Sequence, residues 1–385
     1  MIDQLPPARC MRVLLIAPSF NILGGQAVQA QRLIHALRDH ASVDVTFQPI
    51  DSNLGELRRY VQRVKYLRTA VAWVAYLFRL VSASWKFDII HVYSAAHTSY
   101  MLWTLPALVI ARVYGRRIVV NYRDGRVEEH LSRSRLARAS LRRADLIVCP
   151  SPYVSNVFAR FGLASVVISN ILPVEQFCYR VRDRLRPAFL HNRILEPLYN
   201  VPCALRAFQL IQRRYPDASL TVAHDGPLRG SLEQLAAELG LRNTQFVGRI
   251  PHADIAATYD SADVYLTSPE VDCMPGSILE CFASGLPVVA TNVGGIPYIA
   301  ANGETALLVP PNDASAMAAA AIRLLQEPAL VRRLTQNAYQ ASHRYRREHV
   351  AAQWSVVYHR LGSRRHANDA HAIEAADLDH TPTRP

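Results

Sequence analysis

Two acidic residues stand eight positions apart in the segment Ser268–Pro297, SPEVDCMPGSILECFASGLPVVATNVGGIP. Asp272 falls in a loop, and Glu280 in the first turn of an expected helix. Between them lies Pro275-Gly276-Ser277, whose backbone would face whatever sits above the helix start. The first amides of a helix have no carbonyl partner within it, and the aligned peptide dipoles leave that end partly positive, so it favours an anion. Carboxylates accept hydrogen bonds from hydroxyls. Two carboxylates and a helix N-terminus around one small space suit a ligand with hydroxyls at one end and phosphate at the other. A nucleotide-sugar is such a ligand. Each residue also has a plainer reading. Ser277 to Glu280 has the S-x-x-E spacing of a capping box, in which the glutamate only starts the helix. Asp272 suits an ordinary turn. Spacing alone leaves these readings open.

The elements around this segment form two series. RVLLIA at 12–17 is a short apolar run that leads into a loop carrying Gly24 and Gly25, then a helical pattern over 27–37 and a strand over 43–47. Strand, loop, helix and strand at this spacing begin a parallel α/β sheet. IIHVY at 89–93, IVVNY at 118–122 and DLIVCP at 145–150 continue it, each a continuous apolar run as expected of strands covered on both faces. After an irregular stretch at 171–188, strands are expected at 188–192, 219–225, 244–248, 263–269 and 286–292. Helices follow at 313–325, 329–343 and 345–361, and the polar tail lacks a core pattern and is expected to be disordered. Two α/β halves imply a cleft between them, a common ligand site.

Charge separates the halves. Residues 1–180 carry 23 Lys+Arg against 11 Asp+Glu, whereas residues 181–385 carry 20 of each. A basic first half suits an anionic partner such as a membrane surface, a lipid-phosphate acceptor or nucleic acid; a solvated Arg-rich surface is the alternative. No base-stacking motif accompanies the charge, so nucleic acid is set aside. The mixed basic and apolar stretch 57–86 leaves peripheral membrane contact open. Residues 89–111 are uncharged and long enough to span a bilayer, but they divide into a strand and a helix containing Pro106. The six cysteines have no metal or disulfide spacing, and a reducing compartment suits them. No secretory signal is expected at the N-terminus.

Taken in order, these segments resemble glycosyltransferase family 4. MRVLLIAPSFNILGGQAVQAQRLIHAL is similar to the family's first strand, glycine loop and helix. ADLIVCPSPYVSNVFARFGL with VVISNILPVEQF resembles the exit from its first domain. LTVAHDGPLRGSLEQLAAELGLRNTQFVGRIP resembles its second-domain strand and helix, and ILECFASGLPVVATNVGGIP its donor-site signature. The ordered set covers roughly residues 11–361 and is specific where no single motif is.

The resemblance implies the α/β GT-B fold: two Rossmann-like doubly wound domains facing a central cleft, with a C-terminal helix returning to the first domain. It implies domains at 1–178 and 179–342, a closing helix at 343–361, and a tail at 362–385. It places Asp272 by the donor sugar, the backbone of Met274, Pro275, Gly276, Ser277 and Ile278 by sugar or phosphate, and Glu280 on the ribose hydroxyls. Gly24, Gly25, Gly226 and Arg249 join the donor contacts, and Arg193 takes the diphosphate. Where the family carries a diphosphate lysine, this chain has Leu198, and it has no lysine after Lys86. Arg193 would then act with backbone amides or with Arg229 or Arg249. Arg123 stands where the family tends to place a histidine, so Arg123 and Asp124 either contact the substrates or pair with each other.

The implied activity is retaining transfer of a hexosyl group from a nucleoside-diphosphate sugar to a saccharide or lipid-linked acceptor, with no metal or other cofactor. Alternatives are another GT-B activity such as a nucleotide-sugar epimerase, or nucleotide-sugar binding without turnover. The expected location is the cytoplasm, with peripheral contact at the inner membrane face left open.

Overall fold

Short Val, Ile and Leu runs without polar alternation make strands covered on both faces, and these pair in parallel. In the computed structural model, which describes residues 10–20, 24–38, 42–51 and 65–363, they build two parallel sheets. The first contains β1 (Met11–Ala17), β2 (Val43–Pro49), β3 (Ile89–Ser94), β4 (Arg117–Tyr122), β5 (Leu146–Cys149) and β6 (Val166–Val167), in the order β2-β1-β3-β4-β5-β6. The second contains β7 (Ala188–Asn192), β8 (Ser219–Ala223), β9 (Thr244–Gly248), β10 (Val264–Thr267), β11 (Val288–Thr291) and β12 (Leu307–Val309), in the order β12-β11-β10-β7-β8-β9. Chain direction across each sheet reverses once, between β1 and β3 and between β7 and β10. The loops at the carboxyl ends of such strands diverge and leave room for a ligand. Two strands, β6 and β12, have no counterpart in the sequence expectations, because two or three residues are too short to show a period.

Contacts divide the chain into two units. The first ends at Ile171 and resumes at Arg347, and the second is Leu172–Arg346. The crossings were expected at 178/179 and 342/343. They move because Leu172 already bridges Arg346 in parallel, and its amide donates to the Tyr345 carbonyl at 2.8 Å. The last helix, Arg347–Ser363, packs Val350, Trp354, Val357, Tyr358 and Leu361 into the same core as Val13, Leu15 and Ile89 of the first sheet. The expected tail from 364 onward lies outside the described residues, as does the 57–64 part of the mixed basic stretch.

The apolar stretch after β3 is not one regular helix. A π-helical turn at Tyr100–Thr104 precedes the α-helix Leu105–Val113. Pro106 has no amide to give the Leu102 carbonyl. That carbonyl instead accepts from Trp73 Nε1 at 3.0 Å, and the Trp103 carbonyl accepts from the Tyr76 hydroxyl at 2.7 Å. Both donors lie on the helix Lys65–Ser84, so the irregular turn is satisfied from a neighbour. Among the described residues no helix is long and apolar enough to cross a membrane.

In the second unit, Asp263 enters β10 from a position that is 2% exposed. Its carboxylate accepts from Arg180 Nη2, Arg186 Nε and the Arg186 amide, each at 2.8 Å. The fully buried Arg182 donates to the carbonyls of Ser284 and Gly285 at 2.7 Å each, tying the entry segment to the turn before β11. Burial alone would raise the Asp263 pKa, but the hydrogen bonds from Arg186 and Arg180 outweigh it and hold the carboxyl below its ordinary value. A carboxyl depressed by folding contributes stability at neutral pH, and that contribution is lost as pH falls through the folded-state value. Asp263→Ala should therefore destabilise the protein by about 3 kcal/mol near pH 7, the low end for a broken buried pair because two of the three arginines are partly exposed. Urea unfolding at pH 7 and pH 3 checks this, with the difference between variant and wild type shrinking at the lower pH.

Candidate functional site

Arg193 is the first residue beyond β7, at the reversal point of the second sheet. Its guanidinium lies 4.3 Å from the ring centroid of Tyr199, donates to Ser277 Oγ at 3.3 Å, and forms a close ion pair with Asp272. The Arg193 and Asp272 side chains are 13% and 10% exposed. Burial, the largest influence, works against the Arg193 charge. Asp272 and the surrounding tyrosines outweigh it together, and the group titrates above its ordinary value. Sequence reasoning assigned Asp272 to the sugar and Arg193 to the diphosphate as separate contacts. The structure joins them, 79 residues apart in the chain.

Asp272 is held at both ends. Its Oδ1 accepts the Met274 amide at 3.2 Å, closing a tight turn, and its carbonyl accepts the Gly295 amide at 2.7 Å. Gly294 adopts φ +54°, and a Cβ there would lie 2.3 Å from the Asp272 carbonyl oxygen. This glycine pair follows β11 and was passed over in the sequence. Its signal was a Gly-Gly directly after an apolar run, the same signal that drew attention to Gly24 and Gly25.

The helix after this turn is Gly276–Ala283, with Pro275 preceding it and no side-chain cap. Ser277 is thus the second helical residue, and its hydroxyl accepts from Arg193 rather than capping. The capping-box reading fails for that reason. Glu280 lies past the first turn, contrary to expectation, with its Oε2 accepting the Tyr259 hydroxyl at 2.9 Å. That hydroxyl in turn accepts from Asn192 Nδ2 at 3.1 Å, and the Asn192 carbonyl accepts the Tyr265 hydroxyl at 3.2 Å. Burial, aided by Glu280, pushes the Tyr259 phenol well up, so it remains a donor at neutral pH. Asn192 and Tyr259 were missed, because a tyrosine on a neighbouring helix gives no local pattern. Met274 and Ile278 are buried in the core beneath the turn, so only their backbone can face a ligand.

Beside Arg193, the loop after β8 makes close backbone contact. A Cβ on Gly226 would lie 2.5 Å from the Leu195 carbonyl oxygen, so this glycine is required by packing. His224 takes φ +85°. Its pKa is lowered by burial, with Arg249 and Arg193 adding to the effect, which places both cations within its electrostatic reach. Arg229 is occupied by Glu233 and the Phe246 carbonyl. Arg249 is exposed and forms no ion pair among the described residues. Of the two arginines offered as substitutes for the missing lysine, Arg249 is the available one. Leu198 occupies a 3-10 turn, Pro197–Tyr199, that presents Tyr199 to the guanidinium.

In the first unit, Gly25 opens the helix Gly25–Leu37 and Gly24 precedes it in extended conformation. A Cβ on either would meet nothing within 4 Å among the described residues. Arg123 follows β4, lies 5.1 Å from the Tyr93 ring centroid and donates to Asn121 Oδ1 at 3.2 Å. Asp124 does not pair with Arg123. It accepts from the Ala96 amide at 3.1 Å and pairs with Arg126 at 2.9 Å. Burial, the largest influence, would raise its pKa, but these bonds hold it below its ordinary value.

Residues 186–341 match the model for glycosyl transferases group 1, and residues 23–176 match the model for Glycosyltransferase Family 4. Glycogen synthase of Mycobacterium tuberculosis is 30% identical over 275 residues, 67% of this chain and 64% of that protein, so the chain spans just under two thirds of its length. A GDP-mannose-dependent alpha-(1-6)-phosphatidylinositol monomannoside mannosyltransferase of Mycolicibacterium smegmatis is 29% identical over 244 residues, 57% of this chain and 64% of that protein. Sucrose-phosphate synthase from Thermosynechococcus elongatus superposes with a TM-score of 0.71 at 21% identity, covering 91% of this chain and 99% of that one. Anabaena HepE in complex with UDP and glucose gives 0.68 at 18% identity, over 90% and 99%. These likenesses show the GT-B fold.

Gly294 fixes the Asp272 backbone through a contact that no side chain can share. Gly294→Ala should cost about 2 kcal/mol or more, from the left-handed backbone angle and the clash together. Chemical denaturation measures it, with Gly303→Ala as a control that keeps the angle (φ +76°) but lacks the clash. Equal losses in the two variants would remove the special role of the Asp272 contact.

Proposed function

The chain belongs to glycosyltransferase family 4, and on that premise we propose that it is a retaining glycosyltransferase moving a hexosyl group from a nucleoside-diphosphate sugar to a saccharide or lipid-linked acceptor. The observation that carries this reading is the convergence of Arg193, Asp272 and the helix start at Gly276–Ser277 at one strand end, with Glu280 on the next turn of that helix. Arg193 and the first helix amides meet the diphosphate, whose charge grows as the glycosidic bond breaks. Stabilising that leaving group is where this chemistry gains most. Arg249 supplies the second cation in place of a lysine, so the charge is met without a metal or other cofactor. Asp272 orients Arg193 and accepts a sugar hydroxyl, while Glu280, held by Tyr259, accepts from the ribose. In the first unit Arg123 offers a substrate contact, while Asp124 is taken up by Arg126 and the Ala96 amide. The acceptor hydroxyl attacks from the face the diphosphate leaves.

We further place the enzyme in the cytoplasm, resting on the inner face of a membrane. Val74, Phe78, Val81 and Trp85 are all exposed, Phe78 by 74%. Val74, Phe78 and Val81, spaced by four and three residues, line one face of the helix, and Trp85 follows directly after its last residue. Val109 and Val113 are exposed on the neighbouring helix, and Arg116 joins the two by donating to the Trp85 carbonyl at 2.7 Å. Lys86 stands over the Trp85 ring. An apolar face edged by cations suits anionic headgroups over shallow acyl contact.

Calorimetric titration with a panel of nucleoside diphosphates and their sugars tests the donor. Arg193→Ala should weaken diphosphate binding by about 1.5–3 kcal/mol, the size of a charge-assisted contact. Glu280→Gln should weaken nucleosides with an intact ribose more than their 2′,3′-dideoxy forms. Absence of any nucleotide binding defeats the donor reading, and tight binding without hydrolysis or transfer favours a non-catalytic role. Phe78→Glu should lower binding to phosphatidylglycerol-containing vesicles about tenfold in flotation assays, and an unchanged affinity removes the membrane from the picture.

A further inference from the structure

The last helix contributes more to the first unit than apolar packing. His91 in β3, Asn121 in β4 and Tyr358 on the last helix are each fully buried. His91 Nδ1 lies 2.7 Å from the Tyr358 hydroxyl, and its Nε2 lies 3.1 Å from Asn121 Nδ2. Asn121 Oδ1 is 3.2 Å from Arg123 Nη1. Stacking of the imidazole on Trp354, centroids 4.5 Å apart, fixes the ring plane.

The direction of every bond follows from one end. A guanidinium nitrogen only donates. Asn121 must therefore accept through Oδ1 and donate through Nδ2. His91 Nε2 must accept, so the ring proton sits on Nδ1 and is donated to the Tyr358 oxygen. Burial lowers the His91 pKa to about 3, with Arg123 adding to the effect, so the ring is neutral throughout ordinary pH. One tautomer alone satisfies the chain.

At its outer end, Arg123 has no carboxylate partner among the described residues. Asp124, next to it, is taken by Arg126 and the Ala96 amide. Arg123 Nη2 is buried and has no hydrogen-bond partner among the described residues. A cation at a strand end, held on one nitrogen and on its face, with a second nitrogen unused, is arranged to receive an anionic group.

We propose that Tyr358, His91 and Asn121 act on glycosyl transfer as positioning residues, a directional hydrogen-bond chain from the last helix that fixes Arg123 for an anionic group of the substrate. This rests on the reading of Arg123 as a substrate contact. Removing the Tyr358 oxygen leaves the Nδ1 proton without an acceptor in a dry site. The ring then gains by shifting its proton to Nε2. The Asn121 amide must reverse to meet that proton, and its NH2 then faces Arg123 and releases it.

A double-mutant cycle in the full-length enzyme tests the chain, using the sugar nucleotide selected by the donor titration. Tyr358→Phe should lower turnover about tenfold in the wild-type background and less than twofold in Arg123→Gln, because neighbours acting through one group are not additive. A tyrosine that merely holds the helix in place would cost the same in both, and that result overturns the proposal. Full activity of Arg123→Gln alone overturns it too, while leaving the donor reading to be judged by nucleotide binding. Nitrogen NMR of the histidine-labelled protein, with His91→Gln for assignment, gives a readout independent of turnover. The expected spectrum has the His91 proton on Nδ1 in the wild type; a proton on Nε2 breaks the chain at its second link.

Discussion

A guanidinium and a carboxylate removed from water together set the terms for the second unit. Each charge lies largely out of water, and breaking such a pair by removing one partner costs far more than an ordinary side-chain contact returns. The surrounding residues are best understood as support for the pair. Tyr199 covers the flat face of the arginine, Ser277 takes one of its hydrogens, and the turn to Met274 closes around the carboxylate. The pair also joins three strand ends. Arg193 leaves β7, Asp272 follows β10, and Gly294 with Gly295 follows β11. A shift in any of these loops is felt by the other two.

Electrostatic roles in the first unit are divided differently. Asp124 neutralises Arg126 close to the backbone, which spares Arg123 from internal pairing. The positive balance seen in the first half of the chain is thus not spread evenly over its residues. Some arginines brace the fold, as Arg117 does at 2.9 Å from Asp145, while Arg123 forms no ion pair among the described residues.

Most strands were legible because a doubly covered strand must be apolar at every position, and that leaves a continuous run. The two shortest were not, since β12 has three residues and β6 two. The family resemblance and the acidic pair were legible as ordered motifs. What local spacing could not show was the partner of each side chain. Ser277 carried the right offset to Glu280 for a cap, yet its hydroxyl went to an arginine 84 residues away. The glycines tell the same story. Gly24 and Gly25 attracted attention and have open space around them, while Gly226 and Gly294 are demanded by neighbouring backbone. A sequence records that a glycine is present but not what approaches it.

The order in which the two units are spelled out along the chain has a consequence for biogenesis. The second unit is continuous and has all its strands once Arg346 has been made. The first unit is interrupted, and its core waits for Trp354, Tyr358 and Leu361 from the last helix. On the ribosome, where domains tend to fold as they emerge, the core of the N-terminal unit must remain incomplete through the synthesis of everything that precedes the last helix. Its buried His91 lacks the Tyr358 partner of Nδ1 for the same interval, so the half of the molecule made first is the half finished last.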